Sequence, residues 1–241
     1  MLNILVRKLS NYDLLKPEDI ARLNELVHIS HVVPPATDII RQGDEPHSVH
    51  LVLQGVACRY KILPSGGRPI VALMIPGDFC DLHVAILTRM DHNIGTLTEC
   101  RIVDIPRSQI EDLLNNYPRI ARALWWATLV DEAILREWLV NMGQRRSDRM
   151  IGHLICELLL RFNAVGINQP FSLPLTQEQL GDALGLSAVH TQRVLTTLRD
   201  QGLLALEDRA IIVPDFARLS EFSGFNSDYL HLSKRPVYSA G

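Results

Sequence analysis

Between positions 187 and 199 the chain carries His190, Gln192, Arg193 and Arg199 and no acidic side chain, a locally cationic run in a protein of formal net charge −3. These are the side-chain types that read base edges. Arginine can bond O6 and N7 of one guanine, glutamine can pair with adenine, and each such contact discriminates by about 1–3 kcal/mol. A serine at the head of the run, Ser187, can cap a helix whose backbone N–H groups would meet a phosphate. The chemistry this spacing offers is recognition of nucleic acid rather than bond-breaking.

To reach a groove, such side chains must stand on the outer face of a helix braced from behind. The flanking sequence supplies the brace. Thr176 with Gln179 three residues on forms a capping box, and Leu180, Ala183 and Leu184 give a buried face. Gly185 suits a left-handed helix ending, Ser187 caps a second helix, and its Val194, Leu195 and Leu198 face inward. Small Ala183 lets the two helices cross closely. After Gly202, residues 203–206 and 210–213 flank a turn at 207–209 and predict a hairpin wing. A solvated helical hairpin is the competing reading; cap, glycine, second cap and wing in that order speak against it.

The rest of the chain must hold this unit in place. Residues 32–105 show short apolar or alternating runs punctuated by turns, as in an all-β unit: Val56, Cys58, Tyr60 and Ile62 alternate, Ser65-Gly66-Gly67 turns, and 70–75 returns. Gly43-Asp44 and Gly77-Asp78 mark two more turns. A short helix over 17–28 precedes this unit, with Ile20, Leu23, Leu26 and Val27 on one face.

From Arg119 to Met142 neither glycine nor proline interrupts, predicting one helix of more than six turns. Leu124, Thr128, Asp131, Leu135, Trp138 and Met142 recur at helical spacing, with Ala127, Val130 and Ile134 beside them. One face can pack on the roll and the other on a twin helix; the alternative makes Trp125, Trp126 and Trp138 core residues of a monomer. A further helix is predicted over 145–162, and 164–174 reads as a loop. The expected organisation is α+β: residues 1–118 a β-roll sensor domain, 119–143 a dimerisation helix, 144–241 a winged helix-turn-helix.

Composition fits a globular protein, 47% hydrophobic and 21% charged. No apolar run approaches the ~18–20 residues of a membrane span, and the first ten residues lack a signal's apolar core, so a cytoplasmic protein with no membrane partner is expected. Cys58, Cys80, Cys100 and Cys156 are scattered without Cys-x-x-Cys and are read as reduced, packed thiols.

Gln42-Gly43-Asp44, Leu53-Gln54-Gly55-Val56, Pro76-Gly77-Asp78-Phe79 and the stretch 180–204 together resemble the Crp/Fnr family over nearly the whole chain. The resemblance implies a double-stranded β-helix (jelly-roll-like) roll, a coiled-coil homodimer, and a two-fold DNA site. RNA polymerase would be a partner if the protein activates. By position it places Ala188, Val189, Gln192 and Arg193 at base edges and Ser187 and His190 near phosphate contacts, with Thr176 counted in the same DNA-contacting unit. Val189 stands where many members carry glutamate, which favours a thymine methyl over cytosine.

By position the effector pocket would involve Asp81, Leu82, His83, Arg89 and Leu135. Members that bind cyclic nucleotide resemble one another in Gly-Glu-Leu after the Gly-Asp-Phe turn and in a later Arg-Ser or Arg-Thr. Here Cys80-Asp81-Leu82-His83 and Arg89-Met90-Asp91 replace them, so cyclic AMP is not the expected ligand. With no cysteine before Cys58 an iron–sulfur cluster is not expected either. Haem is a second reading, since His83, Cys80 or His92 could ligate iron; structural roles for these residues are the competing one. His28-x-x-His31 and His47-x-x-His50 read as surface histidines, and no metal site is expected. A cupin-type enzyme shares the roll but needs His-x-His, which is absent, and no catalytic motif stands in its place.

Overall fold

The computed structural model describes residues 3–12, 15–167, 175–207 and 210–232. Two short helices open the chain, α1 (Ile4–Leu9) and α2 (Pro17–Glu25). α1 escapes a periodicity reading because six residues carry too little pattern; Asn3 caps it by accepting from the Val6 N–H at 2.8 Å, and Leu5, Val6 and Leu9 are buried.

Seven strands form the roll: β1 (His31–Val33), β2 (Asp38–Ile40), β3 (Ser48–Gln54), β4 (Ala57–Tyr60), β5 (Ile70–Met74), β6 (Asn93–Thr96) and β7 (Cys100–Pro106). They pair antiparallel as two sheets, β1-β7-β3 and β2-β6-β4-β5. Alternation sets the faces on either side of one break in β7: Cys100 and Ile102 are buried around exposed Arg101, and Val103 and Ile105 around exposed Asp104, the pattern shifting beside the irregularity in the β3 register. The predicted strand through Ile62 stops at Tyr60. Beyond it a hairpin closes through Lys61 N–H to Pro69 O and Leu63 N–H to Gly67 O, leaving Ile62 exposed.

Helix α3 (Arg107–Asn116), not foreseen from the sequence, leads into α4 (Pro118–Gln144). At 27 residues α4 is about 40 Å long, and Pro118 starts it where no N–H is needed. The single stripe predicted along it divides between two faces. Leu124, Val130, Ile134 and Trp138 are buried, whereas Leu135 and Met142 are exposed beside Trp125 (67% exposed), Leu129 and Leu139 (61%). A helix with two apolar faces of this length is wider than the roll alone can cover.

α5 (Ser147–Ala164), α6 (Gln177–Leu184), α7 (Ala188–Asp200), the pair β8 (Ala205–Glu207) and β9 (Ala210–Ile212), and α8 (Phe216–Ser223) complete the fold. The predicted wing is present as β8 and β9, and the tip of its turn, 208–209, lies outside the described residues, as does 168–174 of the predicted loop. Phe225 meets His153 of α5 edge-on and Tyr229 stacks on it, with ring centroids 5.0 and 6.0 Å away.

A buried polar network ties the roll to α5. Arg161 donates to Glu157 at 2.9 Å, to Asp78 at 2.8 Å and to the Leu73 carbonyl at 2.7 Å, and Lys8 reaches Asp78 at 2.6 Å. Glu157 also accepts from Trp138 Nε1 at 3.1 Å and the Tyr229 hydroxyl at 3.0 Å. Burial works against the Asp78 charge, but Lys8 and Arg161 outweigh it and hold the carboxyl down to about 2. All four cysteines are buried free thiols, and burial pushes Cys58 up to about 11 and Cys156 to about 12.

Candidate nucleic-acid interface and sensor cleft

The two helices of the recognition unit end where their capping residues dictate. Thr176 Oγ1 accepts from the Gln179 N–H at 3.1 Å and the Gln179 amide oxygen accepts from the Thr176 N–H at 2.9 Å, closing the capping box on α6. Gly185 follows with φ +68°, and Ser187 then caps α7 by accepting from the His190 N–H at 3.2 Å. Thr191, Val194 and Leu198 are buried against the rest of the unit, while Ala188, Val189 (63% exposed), His190, Gln192 and Arg193 face outward together.

Of these, His190 is less free than its exposure suggests, since its Nε2 meets the Ser147 hydroxyl of α5 at 2.9 Å. A phosphate contact from His190 would compete with that bond. Thr176 is exposed at the start of α6, outside α7, and its hydroxyl is engaged in the cap.

Sequence reasoning credited Ala183 with the close crossing and missed Gly181. A Cβ at Gly181 would sit 2.4 Å from the Leu186 carbonyl oxygen, a backbone atom that cannot yield without moving the turn. Gly181→Ala should therefore destabilise the chain by about 1–3 kcal/mol, the usual cost of overpacking, as measured by the shift of a urea unfolding midpoint. Glycine five positions after a predicted helix cap, inside the helix rather than at its end, was the available signal.

On the other side of the molecule, a cleft of about 130 Å³ lies between the roll and α4. Phe79, Leu82, His83 and His92 line it from the roll, Thr128, Asp131 and Ile134 from α4. Arg59 spans the space: Nε donates to the Cys80 carbonyl at 2.8 Å, one amino group reaches the Phe79 carbonyl at 3.3 Å, and the other pairs with the Asp131 carboxylate. Burial opposes the Arg59 charge and Asp131 outweighs it. Asp131, which interrupts the apolar stripe in sequence, thus has its partner on β4.

Of the five residues expected around an effector, Leu82 and His83 reach this cleft and three do not. Asp81 is wholly buried: its carboxylate accepts the His50 backbone N–H at 2.6 Å and pairs with His50 Nδ1 at 2.7 Å, fixing the loop rather than a ligand. His50 is for the same reason not a surface histidine; burial disfavours its protonated form, Asp81 outweighs that, and its pKa is raised. Arg89 lies at the surface with Nε on the Gly43 carbonyl at 3.1 Å. Leu135 points away from the roll, and its neighbour Ile134 lines the cleft instead. Cys80, one of the haem-ligand candidates, is fully buried with its thiol pushed far up, first by burial. Burial lowers both His83 and His92, which are uncharged at neutral pH.

Residues 30–117 match the cyclic nucleotide-binding domain family and residues 119–222 match the Crp-like helix-turn-helix domain family. The chain belongs to the Crp/Fnr family of transcription regulators. It is 29% identical to the transcriptional activator protein FnrL of Cereibacter sphaeroides over 217 residues, 88% of this chain and 86% of FnrL. It is 26% identical to the nitrogen fixation regulation protein FixK of Bradyrhizobium diazoefficiens, over 83% of this chain and 85% of FixK. The structure of FixK2 from Bradyrhizobium japonicum superposes with a TM-score of 0.72 at 22% identity, covering 81% of this chain and 97% of that one, so the Crp/Fnr architecture is shared. The cleft under α4 lies between the roll and the long helix.

Proposed function

We propose that the protein is a cytoplasmic, homodimeric transcription regulator that binds a two-fold DNA site through α7 and responds to a signal through its roll. The observation that carries this reading is the face made by Ala188, Val189, Gln192 and Arg193, exposed together on a capped helix without an acidic residue before Asp200. Double-stranded DNA is the partner such a face fits. No helix among the described residues is long and apolar enough to cross a membrane, in keeping with a cytoplasmic site of action.

The second copy is the partner for the outer face of α4. Trp125, Thr128, Leu135, Leu139 and Met142 recur at intervals of three, seven, four and three along that helix, the spacing of a coiled-coil seam. Two α4 helices so joined would set the two α7 helices about 34 Å apart, one turn of DNA. FnrL is a transcriptional activator, and activation with RNA polymerase as the protein partner is the mode assigned here.

The signal is not a cyclic nucleotide in this reading. The cleft of about 130 Å³ is smaller than the ~300 Å³ at which small-molecule sites begin, and Arg89, the arginine that the family's pattern would set against a phosphate, lies at the surface on the Gly43 carbonyl.

Fluorescence anisotropy with a selected operator and a scrambled duplex tests the recognition face. Arg193→Ala should weaken operator binding by about 1–3 kcal/mol while leaving scrambled DNA nearly unchanged. Equal loss on both duplexes would make Arg193 a phosphate contact and remove the base-reading role.

A further inference from the structure

We propose that His83, Asp91 and His92 form a binding site for one divalent transition-metal ion at the edge of the cleft between the roll and α4. A potential ligand atom from each of the three lies within 4.8 Å of the others, so that the two rings and the carboxylate form one cluster. The imidazole rings stand 5.5 Å apart between centroids and are inclined by 46°. Nε2 of His83 and Nε2 of His92 are both buried and lack any hydrogen-bond partner among the described residues. Buried polar nitrogens are rarely left so, and two facing one small cleft point to a shared missing partner.

Asp91 is mostly exposed and bonds Nδ1 of His92 at 2.6 Å, orienting that ring and adding negative charge beside it. The cations nearby are already engaged: Arg59 with Asp131, Lys8 with Asp78, Arg161 with Asp78 and Glu157, and Lys61 with the Asp91 carbonyl. Two imidazole nitrogens, one of them on a ring held by the Asp91 carboxylate through Nδ1, suit zinc, cobalt or nickel, leave coordination positions open, and are poorly matched to magnesium or calcium, which take oxygen donors. This site owes nothing to the cyclic-nucleotide pattern and stands whether or not α7 reads DNA.

The full-length chain, stripped with a chelator and dialysed, would be titrated with zinc chloride by calorimetry and with cobalt chloride by visible absorption. One ion per chain is expected, with nitrogen-ligated cobalt bands and no saturable heat from magnesium chloride. The His83→Gln, His92→Gln pair should weaken zinc binding by roughly a hundredfold or more, beyond the 10–100-fold range of outer-sphere changes, with an unchanged circular dichroism spectrum. His28→Gln, an exposed histidine elsewhere, should have no effect. Should the double variant lose its fold, Asp91→Asn at an exposed position carries the test, with about tenfold weaker binding expected. No saturable zinc binding by the wild-type chain, or binding that the histidine pair or Asp91→Asn leaves unchanged, would overturn the site.

Discussion

Arg161→Met is expected to destabilise the protein by about 3–5 kcal/mol, the usual cost of removing one member of a buried ion pair. Arg161 is the only cation hydrogen-bonded to Glu157 among the described residues, and Glu157 is wholly buried. It also joins α5 to the Gly77-Asp78 turn and to the Leu73 carbonyl, so its loss uncouples the recognition unit from the roll as well as stranding a charge. Methionine keeps the stem's volume and removes only the guanidinium, which separates the electrostatic effect from a cavity.

The pH dependence identifies the cause. Burial already raises Glu157 above the ordinary carboxylate range, against the pull of Arg161. Removing Arg161 raises it further, so the folded variant binds a proton that its unfolded chain releases, and stability increases as the pH falls from 7 towards 5. Denaturant unfolding at pH 7 and pH 5 should therefore show the deficit shrinking. Adding Glu157→Gln should recover part of it at pH 7. A deficit independent of pH and of Glu157→Gln would mean that packing, not charge, holds this interface.

The second large effect is expected on α4. Leu139→Asp places a charge at one of the most exposed apolar positions of the proposed seam, far from the buried face that packs on the roll. Sedimentation should show a monomer with a native circular dichroism spectrum. Operator affinity should fall by roughly a hundredfold or more, since the gain from joining two DNA-reading modules is about 10²–10⁴. A Leu139→Asp protein that remains dimeric would move the interface elsewhere.

What the sequence made legible was local. The capping box at Thr176, the turn at Gly185 and the cap at Ser187 each follow from a few neighbouring residues, and all three stand where the spacing put them. The length of α4 was legible from the absence of glycine and proline, and so was its having two faces, but not which residues fall on which, because a stripe of apolar residues shows burial without naming what buries it. Illegible altogether were the polar bonds between distant segments. Arg59 and Asp131 are 72 positions apart and Arg161 and Asp78 are 83 apart, and no spacing rule links such pairs.

The expected effector residues do not gather in one cleft, for a related reason. Position in the family's pattern pointed to Asp81, Arg89 and Leu135, but the bonds to His50 and to the Gly43 carbonyl and the outward turn of Leu135 decide where those side chains go. His83 and His92 were legible singly, as possible iron ligands, but not as a pair until the loop brought the rings together. Nine positions of separation do not correspond to a turn of any regular element.

If two copies of α7, held by paired α4 helices, read a two-fold DNA sequence, selection will reveal it: the purified protein is mixed with fragmented genomic DNA at physiological salt, and the retained fragments are sequenced. The expected result is an enriched palindrome whose half-site centres lie one helical turn apart, lost with Leu139→Asp. Retention that depends on salt but enriches no motif, or enriches a single half-site unaffected by Leu139→Asp, would contradict it.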